Sequence, residues 1–226
     1  MTPASQPRRS PKAIAACLVA LGIFTWFDLW TKDVAQASLS RAPLTPPSQV
    51  CVPDDGGRVF MQRVQTPPVV LIDGYLELRY AENCGAAFGV LDRGPSWMRI
   101  ALFGPAAIAA TLGLMWLFVT GYGGRLFAFS VPLIASGALG NLVDRLRLGY
   151  VIDFIRFHIQ DSFVWPTFNI ADSTITVGVA LLLIEGLIAP RPRGARRGRE
   201  KKAREEEDEI RRRGDVEDPE QRIAHG

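Results

Sequence analysis

The 226-residue sequence predicts a membrane all-α fold, a four-transmembrane-helix bundle with a small extracytoplasmic β-element. Three observations predict it. Charge is segregated: residues 190–226 hold 12 basic and 10 acidic side chains, which leaves about 14% charged residues in the rest, against roughly 25% in a soluble domain. Four apolar segments approach the length of about 20 residues that a bilayer core demands. The basic residues flank those segments instead of forming a patch, which argues for a membrane topology and against nucleic-acid binding.

The first apolar segment runs from Ala13 to about Trp30 and carries Asp28 near its end. The second, Ile100 to Thr120, has no charge, and the third, Leu126 to Val143, holds Asn141. The fourth begins near Asn169 and ends at Ala189, closed by Pro190. Each is expected to be helical, because a lone strand leaves backbone groups unsatisfied in lipid. Their length also excludes an outer-membrane barrel, whose strands read as alternating stretches of about 10 residues. The expected organisation is a cytoplasmic N-terminal tail (1–12), a membrane domain (13–189) with a Pro-rich outer insertion at about 40–68, and a charged cytoplasmic tail (190–226).

Arg8, Arg9 and Lys12 precede the first helix, and Arg191 to Arg204 follow the fourth. The positive-inside rule therefore places both termini in the cytoplasm, and Trp30, Trp97 and Trp165 then fall near the outer interface. Ala35-Gln36-Ala37 imitates a signal-cleavage site, but Asp28, Lys32 and Asp33 intervene, so the first helix is expected to be retained. In the outer loop, Val69 to Ile72, a turn at Asp73-Gly74 and the alternating Tyr75 to Tyr80 read as a hairpin. The shorter outer loop is expected over Asp144 to Phe168.

Ionisable groups at membrane depth are costly, and each is a candidate functional residue. They gather at the outer ends of the helices: Asp28, Lys32, Asn141, Asp144, Arg145, Asp153, Asn169 and Asp172. Gly137, Asn141 and Asp144 share one helix face, with Arg145 beside it; Asn141 and Arg145 either staple helices or line a polar site. Asn169 followed by Asp172 imitates a capping box, so Asp172 alone does not imply catalysis. Asp153 is stranger, a carboxylate in the apolar run Val151-Ile152-Asp153-Phe154-Ile155. If Asp153 and Asp172 meet, like-charge repulsion leaves one proton shared between them, the arrangement of aspartic peptide hydrolysis. Spacing alone does not show that they meet. Three scattered cysteines and two histidines suggest no metal site, and no cofactor is expected. Cys51 and Cys84 could pair, though nothing in the sequence brings them together, and Cys17 reads as a small apolar residue in lipid. Glu185 is expected to reach water at the cytoplasmic end.

Four blocks in order give the sequence a family likeness. Asn83-Cys84-Gly85-Ala86-Ala87-Phe88-Gly89, Gly137-Ala138-Leu139-Gly140-Asn141-Leu142-Val143-Asp144-Arg145, Gly149-Tyr150-Val151-Ile152-Asp153-Phe154 and Phe168-Asn169-Ile170-Ala171-Asp172-Ser173 resemble the blocks of lipoprotein signal peptidase, the bacterial signal peptidase II. The resemblance covers about Ala13 to Ala189, apart from the Pro-rich insertion. It implies an aspartic endopeptidase of the bacterial inner membrane, with its active site near the outer face. Such an enzyme cuts prolipoproteins just before a diacylglyceryl-modified cysteine, so the partners implied are diacylglyceryl-modified prolipoproteins and membrane lipid, with the protein acting as a monomer. It places the catalytic pair on Asp153 and Asp172, substrate-lining or supporting positions on Asn83, Asn141, Arg145 and Asn169, and a brace on Asp28 and Lys32. Asp144 corresponds to a structural acid. Cys84 departs from a common Thr and Gly89 from a frequent Ser. Without the resemblance, a transporter or proton-relay subunit with interfacial acids is the alternative, and a purely structural subunit a second.

Overall fold

The computed structural model describes residues 8–40, 66–85, 96–160 and 162–188. Most of the Pro-rich insertion, including Cys51, and the charged tail lie outside these residues.

Four long helices carry the fold. α1 spans Pro11–Leu39, α2 Ser96–Val119, α3 Arg125–Leu148 and α4 Ile170–Ile188. All four are long and apolar enough to cross a membrane. Their packing is inside out relative to a soluble bundle. Trp26, Leu112 and Trp116 are about two-thirds exposed, whereas Asp28 and Lys32 are almost completely buried. Lipid covers the outward apolar side chains, and polar residues must find partners inside.

α1 starts cleanly, with Ser10 as N-cap accepting from Ala13 N–H and Pro11 at the first helical position. It continues nine residues past Trp30, farther than the hydropathy predicts. Nothing in Thr31 to Leu39 breaks a helix, and its last turns are buried by other means: Ala35 and Leu39 pack with Tyr80, Tyr150, Ile152 and Phe154 of the outer layer. α3 likewise runs past Val143 to Leu148, so Asp144 and Arg145 are helical instead of opening the outer loop. Gly149 ends it in the left-handed region (φ 81°), its N–H closing on the Arg145 carbonyl.

The outer layer is a four-stranded antiparallel sheet in the order β1-β2-β3-β4, with β1 Val69–Ile72, β2 Leu76–Asn83, β3 Val151–Ile159 and β4 Phe163–Val164. The expected hairpin forms β1 and β2, and the β-element is larger than expected because the second outer loop supplies β3 and β4. Register shifts by one residue in β2 between Leu78 and Ala81, so Ala81 lies opposite Asp153 and Asn83 opposite Val151. At the opposite end of the bundle, Cys17, Phe118, Phe127 and Val131 form a second apolar cluster, which places Cys17 inside the bundle and not in lipid. There Arg9 reaches the carbonyls of Gly123 and Gly124. Glu185, half-buried, has a further task at this end. Its carboxylate accepts from Gly124 N–H and Phe127 N–H, capping the start of α3.

Candidate active site

The site assembles where β2 and β3 meet the C-terminal ends of α1 and α3 and the N-terminal end of α4. α4 begins with the capping box that its sequence foretells. Asn169 Oδ1 accepts from Asp172 N–H (3.0 Å), and Asp172 Oδ2 accepts from Asn169 N–H (3.3 Å). This cap also reaches β3, because Asn169 Nδ2 donates to Asp153 Oδ1 at 2.6 Å. One asparagine therefore touches both acids. The local cap and the site are the same structure.

Two further amides complete the ring. Asn83, the last residue of β2, donates from Nδ2 to Asp153 Oδ2 (3.0 Å), and Asn141 of α3 donates to Asp172 Oδ1 (2.9 Å). All four carboxylate oxygens thus accept a hydrogen bond. Asp153 is 2% exposed. Burial, and secondly the negative charge of Asp172, push its carboxyl up to about 7, while the Asn83 and Asn169 donors pull the other way.

Beneath this ring lies a buried ionic cluster. Lys32 of α1 pairs with Asp28 (2.8 Å) and with Asp144 of α3 (3.2 Å), and donates to Asn141 Oδ1 (2.9 Å). Such a cluster is tolerable only because each charge has partners. Asp28 holds α4 as well: its Oδ1 accepts from Ala171 N–H at 2.8 Å, a cap supplied to α4 from another helix. Asp144 accepts in addition from Ile152 N–H, next to Asp153. Glycines admit these contacts. A Cβ on Gly140 would collide with the Asp28 carboxylate, and one on Gly137 would meet the Ala171 carbonyl.

The structure brings together the eight residues to which the resemblance gives a site role, and Asp144 with them, in distinct positions. Asp153, Asp172, Asn83, Asn141 and Asn169 share one network. Asp28 and Lys32 sit one step behind it. Arg145 is turned to the backbone: it donates to the Asn141 carbonyl (3.2 Å) and the Gly85 carbonyl (3.1 Å), with its guanidinium 5.0 Å from the Phe103 ring centroid. It thereby ties the loop after β2 to α3. Gly85 belonged to a recognised block, but nothing in the sequence marked Phe103 or the Ala171 amide. Cys84, beside Asn83, is disulfide-bonded. The Ala86 to Gly89 half of its block lies outside the described residues.

Chemically the arrangement holds two acids joined through Asn169. Asp153 is buried and raised, and Asp172 sits in the first turn of α4. That pair can split roles between proton donor and base.

Comparison with known proteins gives matches of family and of fold. A family model described as signal peptidase (SPase) II matches residues 19–188. A lipoprotein signal peptidase of Ralstonia nicotianae (strain ATCC BAA-1114 / GMI1000) is 43% identical over 116 residues, which is 51% of the chain and 66% of that relative. One of Burkholderia mallei (strain SAVP1) is 47% identical over 122 residues, 54% of the chain and 71% of the relative. Among solved structures, a bacterial membrane enzyme determined by the in meso method at 2.3 Å resolution superposes with a TM-score of 0.56 at 26% identity, covering 76% of the chain and 88% of its own. A second, at 1.9 Å resolution, gives 0.56 at 24% identity, 78% and 95%, a likeness of fold.

Proposed function

The chain belongs to the signal peptidase II family, and on that premise we propose that it is a membrane peptidase that removes the signal peptide from prolipoproteins, with Asp153 and Asp172 as its catalytic pair. The observation that carries the residue assignment is Asn169, which hydrogen-bonds to both acids at once. The transporter alternative is not favoured: its acids would line a path across the bilayer, whereas these converge on one asparagine, through its side-chain amide and its backbone N–H, at one end of the bundle.

In this reading Asp172 is ionised and Asp153 protonated in the resting state. Asp172 takes a proton from a water molecule as the resulting hydroxide attacks the scissile carbonyl carbon. Asp153 gives its proton to the carbonyl oxygen, and a diol forms. Collapse of the diol breaks the C–N bond, with a proton passing to the departing amine. Amides from Asn83, Asn141 and Asn169 keep both acids oriented through these transfers. Asp28 and Lys32 brace the first turn of α4, and Arg145 fixes the loop after Asn83.

The cut falls just before a diacylglyceryl-modified cysteine in this proposal. Such a substrate is held in the bilayer by about 0.8 kcal/mol for each buried methylene, so the enzyme must meet it at the membrane. The site then opens near the outer face of the inner membrane, both termini are cytoplasmic, and the protein acts as a monomer. Incubating the purified protein with a diacylglyceryl-modified prolipoprotein and with its unmodified form tests the reading. Release of the signal peptide from the modified form, with the new N-terminus at the lipidated cysteine, is expected. Equal cutting of both, or cutting elsewhere, would refute the substrate assignment.

A further inference from the structure

Each asparagine of the site has its orientation decided by an obligate donor at its oxygen end. Asn169 Oδ1 faces Asp172 N–H, Asn83 Oδ1 faces Gly85 N–H (3.2 Å), and Asn141 Oδ1 faces the Lys32 ammonium. An N–H or an ammonium cannot accept, so each amide must turn its NH2 toward an acid. Two of these orienting donors are backbone groups. The third, Lys32, is a side chain, fully buried and 109 residues from Asn141 in the chain.

We propose that Lys32 is a positioning residue that, through the amide of Asn141, presents a donor to Asp172 and so keeps that carboxylate in its accepting, ionised form. The inference rests on the reading of Asp172 as the base. Without the ammonium, Asn141 Oδ1 would be held only by Asn169 Nδ2 at 3.2 Å, and that group is already committed to Asp153 at 2.6 Å. The amide is then free to rotate and turn its oxygen to Asp172, an arrangement that a carboxylate repels and a protonated acid accepts. The charged groups facing this chain of bonds are Asp28 on α1, Asp144 and Arg145 on α3, Asp153 on β3 and Asp172 itself on α4; β2 presents the neutral Asn83. Asp28 and Asp144 hold the ammonium in place from both sides, and Arg145 donates to the backbone carbonyl of Asn141, so the residue's main chain is fixed while its amide depends on Lys32.

The test is the pH dependence of cleavage of a diacylglyceryl-modified prolipoprotein by wild type, Lys32→Met, Asn141→Ala and the double variant, with thermal unfolding measured alongside. Lys32→Met is expected to move the acidic limb of kcat upward by about one pH unit and to lower the rate at neutral pH about tenfold or more. In the Asn141→Ala background the same substitution should change the rate less than about threefold, because the group it acts through is gone. A purely structural lysine would lower stability and leave the limb where it was. An unmoved limb, or full additivity with Asn141→Ala, overturns the proposal. Where Lys32→Met does not fold, Asp28→Asn/Lys32→Met removes both charges together and carries the same expectation. If neither can be recovered folded, Lys32 is a folding residue and the proposal falls. An active Asp172→Asn enzyme would overturn the underlying reading, whereas an inactive one beside an unshifted Lys32 variant overturns this inference alone.

Discussion

Asp28 of α1 accepts a hydrogen bond at 2.8 Å from the backbone N–H of Ala171, 143 residues later in the chain, and so caps the first turn of α4. The contact fixes the first turn of α4, which carries Asp172. Its other oxygen pairs with Lys32, so one carboxylate joins the ionic cluster to the helix that presents Asp172, proposed above as the base.

Gly140 is the residue that lets this happen. Its missing side chain leaves room for the Asp28 carboxylate. Gly140→Ala should cost about 1–3 kcal/mol by forcing Asp28 or α4 aside, and should lower kcat. Thermal unfolding and initial rates measure both. Gly22 and Gly113, where an added Cβ meets nothing within 4 Å, provide the control, and Ala there should leave rate and stability close to wild type.

In the proposed mechanism Asp153 sets an alkaline limit. If it must hold a proton at the start of the reaction, activity falls as pH rises through about 7. Stability follows the same sign. The folded chain keeps a proton that an unfolded carboxyl releases near 4, so this group's contribution is complete below about 4 and is lost as pH rises through about 7. Asp153→Asn should therefore raise the Tm at pH 8 relative to wild type, and much less at pH 5.

Asn83 acts in the opposite sense, because its amide favours the ionised Asp153. Asn83→Ala should move the alkaline limb of the rate profile upward, by about half a pH unit or more. A profile that shifts downward would show that Asn83 donates elsewhere.

Glu185 belongs to the far end of the bundle. Losing its bonds to Gly124 and Phe127 N–H leaves the start of α3 uncapped, and Glu185→Ala should cost about 1–2 kcal/mol. The pH limits of catalysis should not move, since the site lies at the other end of α4.

Much of this was legible in the chain. Four apolar runs gave four helices, α4 reaching Ile188, the last described residue of its run. The capping box at Asn169 and Asp172 was local, and local hydrogen bonding is what a sequence encodes most directly. Asp153 stood out because nothing in its apolar run explains a carboxylate. The helix ends were less legible. α1 outruns its hydropathy because a sheet, not lipid, buries Ala35 and Leu39, and that sheet is formed from segments far along the chain. Lys32 with Asn141, and Asp28 with the Ala171 amide, pair across more than 100 residues, where periodicity and spacing carry no information. For Glu185 the sequence suggested only access to water; its bonds to the start of α3 were not legible, because that start lies some 60 residues earlier in the chain.

The rate of prolipoprotein cleavage by folded, purified Asp153→Asn and Asp172→Asn, beside wild type, addresses the paired acids most directly. Each substitution keeps the size of the side chain and removes its proton chemistry, and each should lower the rate by about a thousandfold or more while the thermal transition remains cooperative. Near wild-type cleavage by either variant would mean that the hydrolysis is carried by other groups.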